Sequence, residues 1–478
     1  MAGTFMIGET KVRPGGYFNI QKKGDNASAG AVNGITGILF KADWGPINEV
    51  VELSVGDGYE STFGNGGTTD AIGLAFEGGT KTAYCCRVGN GGTPGNIKLK
   101  LASEDTEAVS ITAKYAGAKA FTVSIKDKLA DDTQRECIIY TGTKEFEKVS
   151  FAKSDDDEVA ALVSAFADSK NFSVEQLKTS DDPSVPVEGK LAAITQEAMT
   201  AGTNPTATLE DYSNGLALLE AYFVNTVCVD TEDTAVHGLL DSWLDRIFDM
   251  GQLSVGVVAE SKSIDLADRQ AHAAAFNTEK MVYVLNSAAS STTYGEIEGY
   301  QTAAKIAGMI AGCAANSSLT HTVLDKITAL REVLTPTQMT KAEQSGCLVL
   351  SINTDKQVWI DNAINTLVTL ADNQDDGWKK IRRTKTRYEM IKRMNDQADS
   401  LVGKVDNDKN GRATIISQLQ GIGDSMIEEG KLVSCNVAES STYTADGDSC
   451  WFVIDVIDKD SAEHIYLMYQ FRFSTQEE

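Results

Sequence analysis

The closing stretch of the chain, AEHIYLMYQFRFSTQEE, alternates with a period of two. Ile465, Leu467, Tyr469, Phe471 and Phe473 fall on one face of an extended strand. A strand needs a neighbour, because every residue along it offers a backbone donor and acceptor that must be paired. Toward the other end, KVRPGGYFNI poses the same problem. Pro14 fixes its own backbone and pushes Arg13 away from helical angles. After Gly15 and Gly16, the run Tyr17-Phe18-Asn19-Ile20 has the aromatic and β-branched content of a strand, and QKKGD then leads away as a polar leash. Two tethered apolar strands, one toward each end, must find β-structure elsewhere to pair with.

At 478 residues the chain is expected to form more than one domain, since single cores rarely grow past about 250–300 residues. A net charge of −25 and a pI near 4.6 argue against nucleic acid or an anionic membrane as the main partner. The eight cysteines include the adjacent pair Cys85-Cys86 and no C-x-x-C spacing. That excludes zinc ribbons and thioredoxin-like sites, and the thiols read as small apolar filler in a reducing compartment. MAGTFMIGETK lacks the apolar core of a signal peptide. No apolar run reaches the roughly 18 residues of a membrane span. Synthesis and folding in the cytoplasm are therefore expected.

The chain reads as multidomain α/β. Residues 26–97 and 201–350 share an α/β texture, with LEDYSNGLALLEAY, AVHGLLDSWLDRIFDMG and LADRQAHAAAF as helices and VNTVCVD, LSVGVVAE and KMVYVLN as buried strands. Between them, 98–200 is dense in strand-like runs such as EAVSITAKYAG and RECIIYTGT, and reads as an inserted β-rich module. Residues 301–315, rich in Ala and Gly, predict a tightly packed helix. Helical spacing of Ile360, Ala363, Ile364, Leu367, Val368 and Ala371 predicts another over 356–371, and further helices are expected over 379–402 and 413–429. LVSCNV and CWFVIDV then predict two strands, making 351–462 an α+β domain between the N-terminal arm (1–25) and the C-terminal arm (463–478).

Catalytic, cofactor and metal signatures are missing. There is no phosphate loop, no H-E-x-x-H and no G-x-S-x-G, and Pro94 in VGNGGTPGN stands where a dinucleotide fingerprint needs glycine. His237, His272, His321 and His464 have no metal-ligand spacing. In DNDKNGRATIIS, Asp406, Asp408, Asn410 and Gly411 match half of a calcium loop, but Ser417 replaces the bidentate glutamate. One charge cluster opposes the acidic average: WKKIRRTKTRYEMIKR holds Lys379, Lys380, Arg382, Arg383, Lys385, Arg387, Lys392 and Arg393 against Glu389 alone. Such a run suits an acidic protein surface, since stacking aromatics for nucleic acid are sparse.

Taken in order, several stretches resemble contractile tail sheath proteins of bacteriophages and phage-tail-like bacteriocins. KVRPGGYFNI is similar to that family's K-x-R-P-G-x-Y motif, ADWGPINEV to its W-G-P segment, and TAYCCRVGNGG to the strand and turn closing its first block. ITAKYAGAKAFTVSI resembles the start of its inserted module. LTPTQMTKAEQSGCLVLSINTDKQVWIDNAINTL resembles the approach to its C-terminal domain, and KKIRRTKTRYEMIKRMNDQADSLVGKVDNDKNGRATIISQLQ the paired helices of that domain. Two departures are visible: Gly16 replaces a bulkier residue, and AGAKAF lacks a glycine-asparagine pair.

The resemblance implies a structural subunit rather than an enzyme, with no cofactor. It implies hexameric rings stacked into a helical sheath around an inner tail tube protein, bounded by baseplate and tail terminator proteins. The particle is made in a bacterial host's cytoplasm, with no nucleic acid partner and no membrane contact by the subunit itself. The small sheet of the C-terminal domain would be completed by neighbours' strands, so Tyr17–Ile20 and Ile465–Phe473 would pair with other copies. The basic run at 379–393 would face the tube. The competing readings are an acidic adhesin or surface module and, further off, an α/β hydrolase.

Overall fold

The computed structural model describes residues 33–472, together with the backbone at 3–4 and 17–18. Contacts divide it into two compact units, one containing Asn33–Lys385 and the segment from Asp460 on, the other containing Thr386–Lys459.

The first unit is built on an eight-stranded sheet. Its strands are β1 (Ile35–Phe40), β2 (Val50–Ser54), β3 (Thr82–Arg87), β4 (Thr226–Val229), β5 (Val255–Val258), β6 (Met281–Val284), β7 (Cys347–Ile352) and β8 (Val358–Asn362), in the spatial order β8-β7-β6-β5-β4-β1-β3-β2. From β7 to β3 neighbours run parallel, and antiparallel β8 and β2 close the two edges. Strands covered on both faces need continuous apolar runs, and β4, β5 and β6 are buried at every residue. The Ala/Gly-rich segment forms α1 (Gly299–Gly312), almost wholly buried. A Cβ on Gly308 would collide with the Ala75 carbonyl, so glycine lets α1 lie backbone-close to the helix Asp70–Gly78.

The expected helix over 356–371 is a strand, β8, followed by irregular chain. Its spacing reports burial instead: Ile360, Ala363, Ile364 and Leu367 are all buried. Val358-Trp359-Ile360 pairs antiparallel with β7 through a turn at Asn353–Gln357, where ladder hydrogen bonds prevail over a short helical pattern.

Residues 96–198 form a β-rich module of two sheets, three- and four-stranded, around one core. Its stem is a pair of adjacent antiparallel segments, with bridges at Asn90–Thr206, Thr93–Thr203 and Asn96–Thr200. Trp44, from the W-G-P segment, is 1% exposed and reaches into this core, with ring centroids 4.9 Å from Phe121 and 5.1 Å from Tyr115. Arg87 holds the same corner. Its guanidinium donates to the carbonyls of Gly45 (2.7 Å), Ala42 (2.9 Å) and Ala116 (2.7 Å), while burial pulls its pKa down to about 10.

The second unit is α+β. It contains most of α2 (Ile381–Leu401), α3 (Lys409–Glu428) and a hairpin of β9 (Leu432–Glu439) and β10 (Phe452–Asp458). Leu432, Cys435 and Val437 on the inner face of β9 pack with Met394, Leu419, Ile422 and Met426 of the helices. Asp408 caps α3, its Oδ1 accepting from Gly411 N at 2.7 Å, so the half calcium loop works as a helix start.

Candidate functional site

The β9–β10 hairpin is a sheet of two strands, and among the described residues no third strand pairs with either edge. Two strands are marginal on their own and depend here on the helical layer beneath. That layer is locked by ions as well as apolar contacts. Lys431 Nζ lies 2.6 Å from Glu389 Oε1 and 2.5 Å from Glu429 Oε2, while Arg393 reaches Glu429 at 2.7 Å and Glu389 at 2.5 Å. Burial alone would raise the Glu429 pKa, but hydrogen bonds from Arg393 and Lys431 outweigh it and hold the carboxyl down at about 2.

Among the described residues, the C-terminal stretch carries no strand in this molecule. Over 464–472 the chain is irregular, with Ile465, Leu467, Tyr469 and Phe471 between 69 and 85% exposed. Phe473 lies outside the described residues, as do Asn19 and Ile20. Tyr17 and Phe18 are strand, aligned in parallel with Gly3 and Thr4 of the same chain.

The basic run is not one open patch. Lys385 is buried and caps the C-terminus of α1, donating to the carbonyls of Ile310 and Cys313 (2.6 Å to Cys313) and lying 3.0 Å from Cys313 Sγ. Lys380 pairs with Asp460 (2.8 Å) and Glu463 (3.1 Å), and Arg382 lies 3.8 Å from Asp460. Burial works against both carboxylates. The Lys380 ammonium, joined by Ser461, nonetheless holds Asp460 and Glu463 below their usual pKa values. Arg393 is committed to the hairpin network. Lys379, Arg383 and Lys392 sit beside the exposed acids Asp376 (3.0 Å), Asp375 (3.0 Å) and Asp396 (2.8 Å). Arg387 is also engaged. Sequence distance hid the partners of Lys380 and Lys385, since Asp460 lies 80 positions from Lys380 and Cys313 lies 72 from Lys385.

In parallel α/β sheets a ligand crevice opens at the carboxyl ends of the strands where connections reverse, here between β1 and β4. Buried Asp230 occupies that position and is saturated. It accepts from Tyr212 Oη (2.5 Å), Lys41 N (2.8 Å) and the Thr68 hydroxyl, and pairs with Lys41 Nζ at 2.9 Å. These groups hold loop to strand. His237 bonds the Thr231 carbonyl, His272 pairs with Glu260, and His321 stacks on Trp359 at 4.0 Å, so these three histidines serve separate local contacts. The cysteines are all free thiols, most of them buried.

Residues 206–366 match the family described as the phage tail sheath protein central domain. The fold is shared with two solved sheath tail proteins. The protein from Desulfitobacterium hafniense has a TM-score of 0.69 and 18% identity, covering 93% of this chain and 100% of that one. Lin1278 from Listeria innocua has a TM-score of 0.64 and 19% identity, covering 89% and 95%. The contracted helical sheath of the anti-feeding prophage also matches, with a TM-score of 0.54 and 11% identity over 97% and 99% of the two chains. The Bacillus subtilis protein YqbK is 23% identical over 385 residues, 79% of this chain and 78% of its own. The chain thus resembles contractile tail sheath proteins, as its motifs imply, and its multidomain α/β architecture is theirs.

Proposed function

We propose that this chain, with the fold of tail sheath proteins and their central domain at residues 206–366, is the repeating subunit of a contractile sheath. Copies stack as hexameric rings around an inner tail tube, bounded by baseplate and terminator, in a particle assembled in a bacterial cytoplasm. The α/β body, the inserted module at 98–200, the α+β assembly domain and the two arms divide this work, and no bond chemistry is required.

One observation carries the reading. The same molecule holds an incomplete sheet, β9–β10, and an exposed apolar segment, 465–471. Between copies, each supplies what the other lacks. For an arm of about ten residues, about five hydrogen bonds at ~1 kcal/mol and about four buried side chains at ~2 kcal/mol favour insertion. Ordering that backbone costs about 1–2 kcal/mol per residue. One arm therefore nets close to zero, and a lattice in which each arm raises the effective concentration of the next holds firmly. This lets the subunit remain a monomer until a template gathers it. Head-to-tail linkage then generates a helix rather than a closed dimer. On triggering, rigid bodies swing outward while the arms act as hinges.

Tube contact is assigned to the basic run at 379–393. Within it Lys379, half-exposed and paired with the open carboxylate of Asp376, is the cation that exchanges at least cost. Negative-stain microscopy of purified protein mixed with tail tubes tests the proposal. Cogwheel-sectioned tubes are expected from the full chain and none after deletion of residues 464–478. Sheaths of normal length from the truncated chain would overturn it.

A further inference from the structure

The chain crosses between its compact units at 385/386 and again at 459/460. On the α/β side these two crossings are tied together. Lys380 Nζ lies 2.8 Å from Asp460 Oδ2 and 3.1 Å from Glu463 Oε2. Glu463 Oε1 in turn accepts from Ser318 Oγ at 3.0 Å and from Ser461 Oγ at 2.9 Å. The lysine is itself held in place, since Ile364 and Lys380 form a backbone bridge and Lys380 N donates to Gly377 O at 3.1 Å.

Two carboxylates, an ammonium and two hydroxyls thus converge on residues 460–463, which have no regular secondary structure. From Ile465 to Arg472 the side chains are open to water. The change from bonded to exposed falls between Glu463 and Ile465. Without these bonds the last fixed point before the C-terminal stretch would be Lys459, whose N–H donates to Lys431 O at 3.0 Å in the hairpin unit.

We propose that the Lys380–Asp460–Glu463 clasp is the root of the C-terminal arm. It transfers the arm's anchorage from the hairpin unit to the α/β body and sets where the apolar segment departs. The inference rests on the reading of 465–473 as an inserted strand, and adds which body carries that strand when subunits move. A tether's effective concentration at its target depends on its free length and starting point. Releasing the clasp adds residues 460–463 to the free segment and moves its origin.

The test uses the full-length chain with spin labels carried by unnatural amino acids at the exposed positions Thr328 and Tyr466. In the soluble monomer, Lys380→Glu broadens the 328–466 distance distribution about twofold, and Lys380→Arg, which keeps the cation between the two carboxylates, leaves it narrow. In tube-templated assembly, the critical concentration rises about tenfold for K380E and stays near wild type for K380R. A distribution as narrow in K380E as in wild type, or one as broad in K380R as in K380E, overturns the clasp. Deletion of 464–478 separates the two ideas. If that truncation assembles normally the arm reading fails, whereas the monomer distances judge the clasp alone.

Discussion

Replacing Leu467 and Phe471 together by alanine separates folding from assembly. In the free subunit these side chains are 69% and 85% exposed, so they contribute little to the fold. As strand residues four apart they lie about 13 Å from each other and act independently. Burying a leucine or phenylalanine side chain is worth about 1.5–3 kcal/mol, and alanine forgoes most of it, so the pair loses about 4 kcal/mol per docked arm. At about 1.4 kcal/mol per factor of ten, the critical concentration for sheath formation rises by roughly a thousandfold. Sedimentation of polymer from a concentration series, with inner tubes as template, measures this directly, and thermal melting of the monomer provides the control. The expected result is an unchanged melting temperature with assembly pushed beyond reach. A melting temperature lowered by several degrees would show that the arm packs on its own molecule. An unmoved critical concentration would show that it packs on nothing.

Two further outcomes test the body. Arg87→Met removes a buried cation that three carbonyls share, and should destabilise the α/β unit by about 3–5 kcal/mol in urea unfolding, with the module core around Trp44 loosening first by tryptophan fluorescence. Glu343 sits against Asn362 (3.3 Å) and Asp361. Burial, with the neighbouring carboxyl, raises its pKa from 4.5 to about 7. The folded state therefore holds a proton that the unfolded state releases, so this group's stabilisation is complete below pH 4.5 and is lost as pH rises toward 7. Glu343→Gln should raise the melting temperature at pH 8 and leave it unchanged at pH 4. Equal shifts at both values would refute the assignment.

Local pattern was enough wherever one face or two had to be apolar. The runs that became β4, β5 and β6 are continuous because both faces are covered, and the hairpin strands and the two long helices carry periods of their own. The 356–371 segment failed for the same reason, since a short buried run satisfies a helical period and an edge strand alike until the pairing partner is known. Trp44 and Arg87 were visible only as parts of motifs. That they bind the W-G-P loop to the inserted module depends on Phe121 and Ala116, which are distant along the chain.

What the amino-acid order determined by itself was the inventory: two apolar segments behind polar tethers, a two-stranded hairpin, and a row of cations against an acidic background. Only the tertiary structure decided how that inventory is used. Charges are long-range and unspecific until folding chooses their partners, so Lys385 became a helix cap, Lys380 a clasp and Arg393 a brace. The apolar stretch at 465–471 stayed in water because its own molecule, among the described residues, pairs no strand with it.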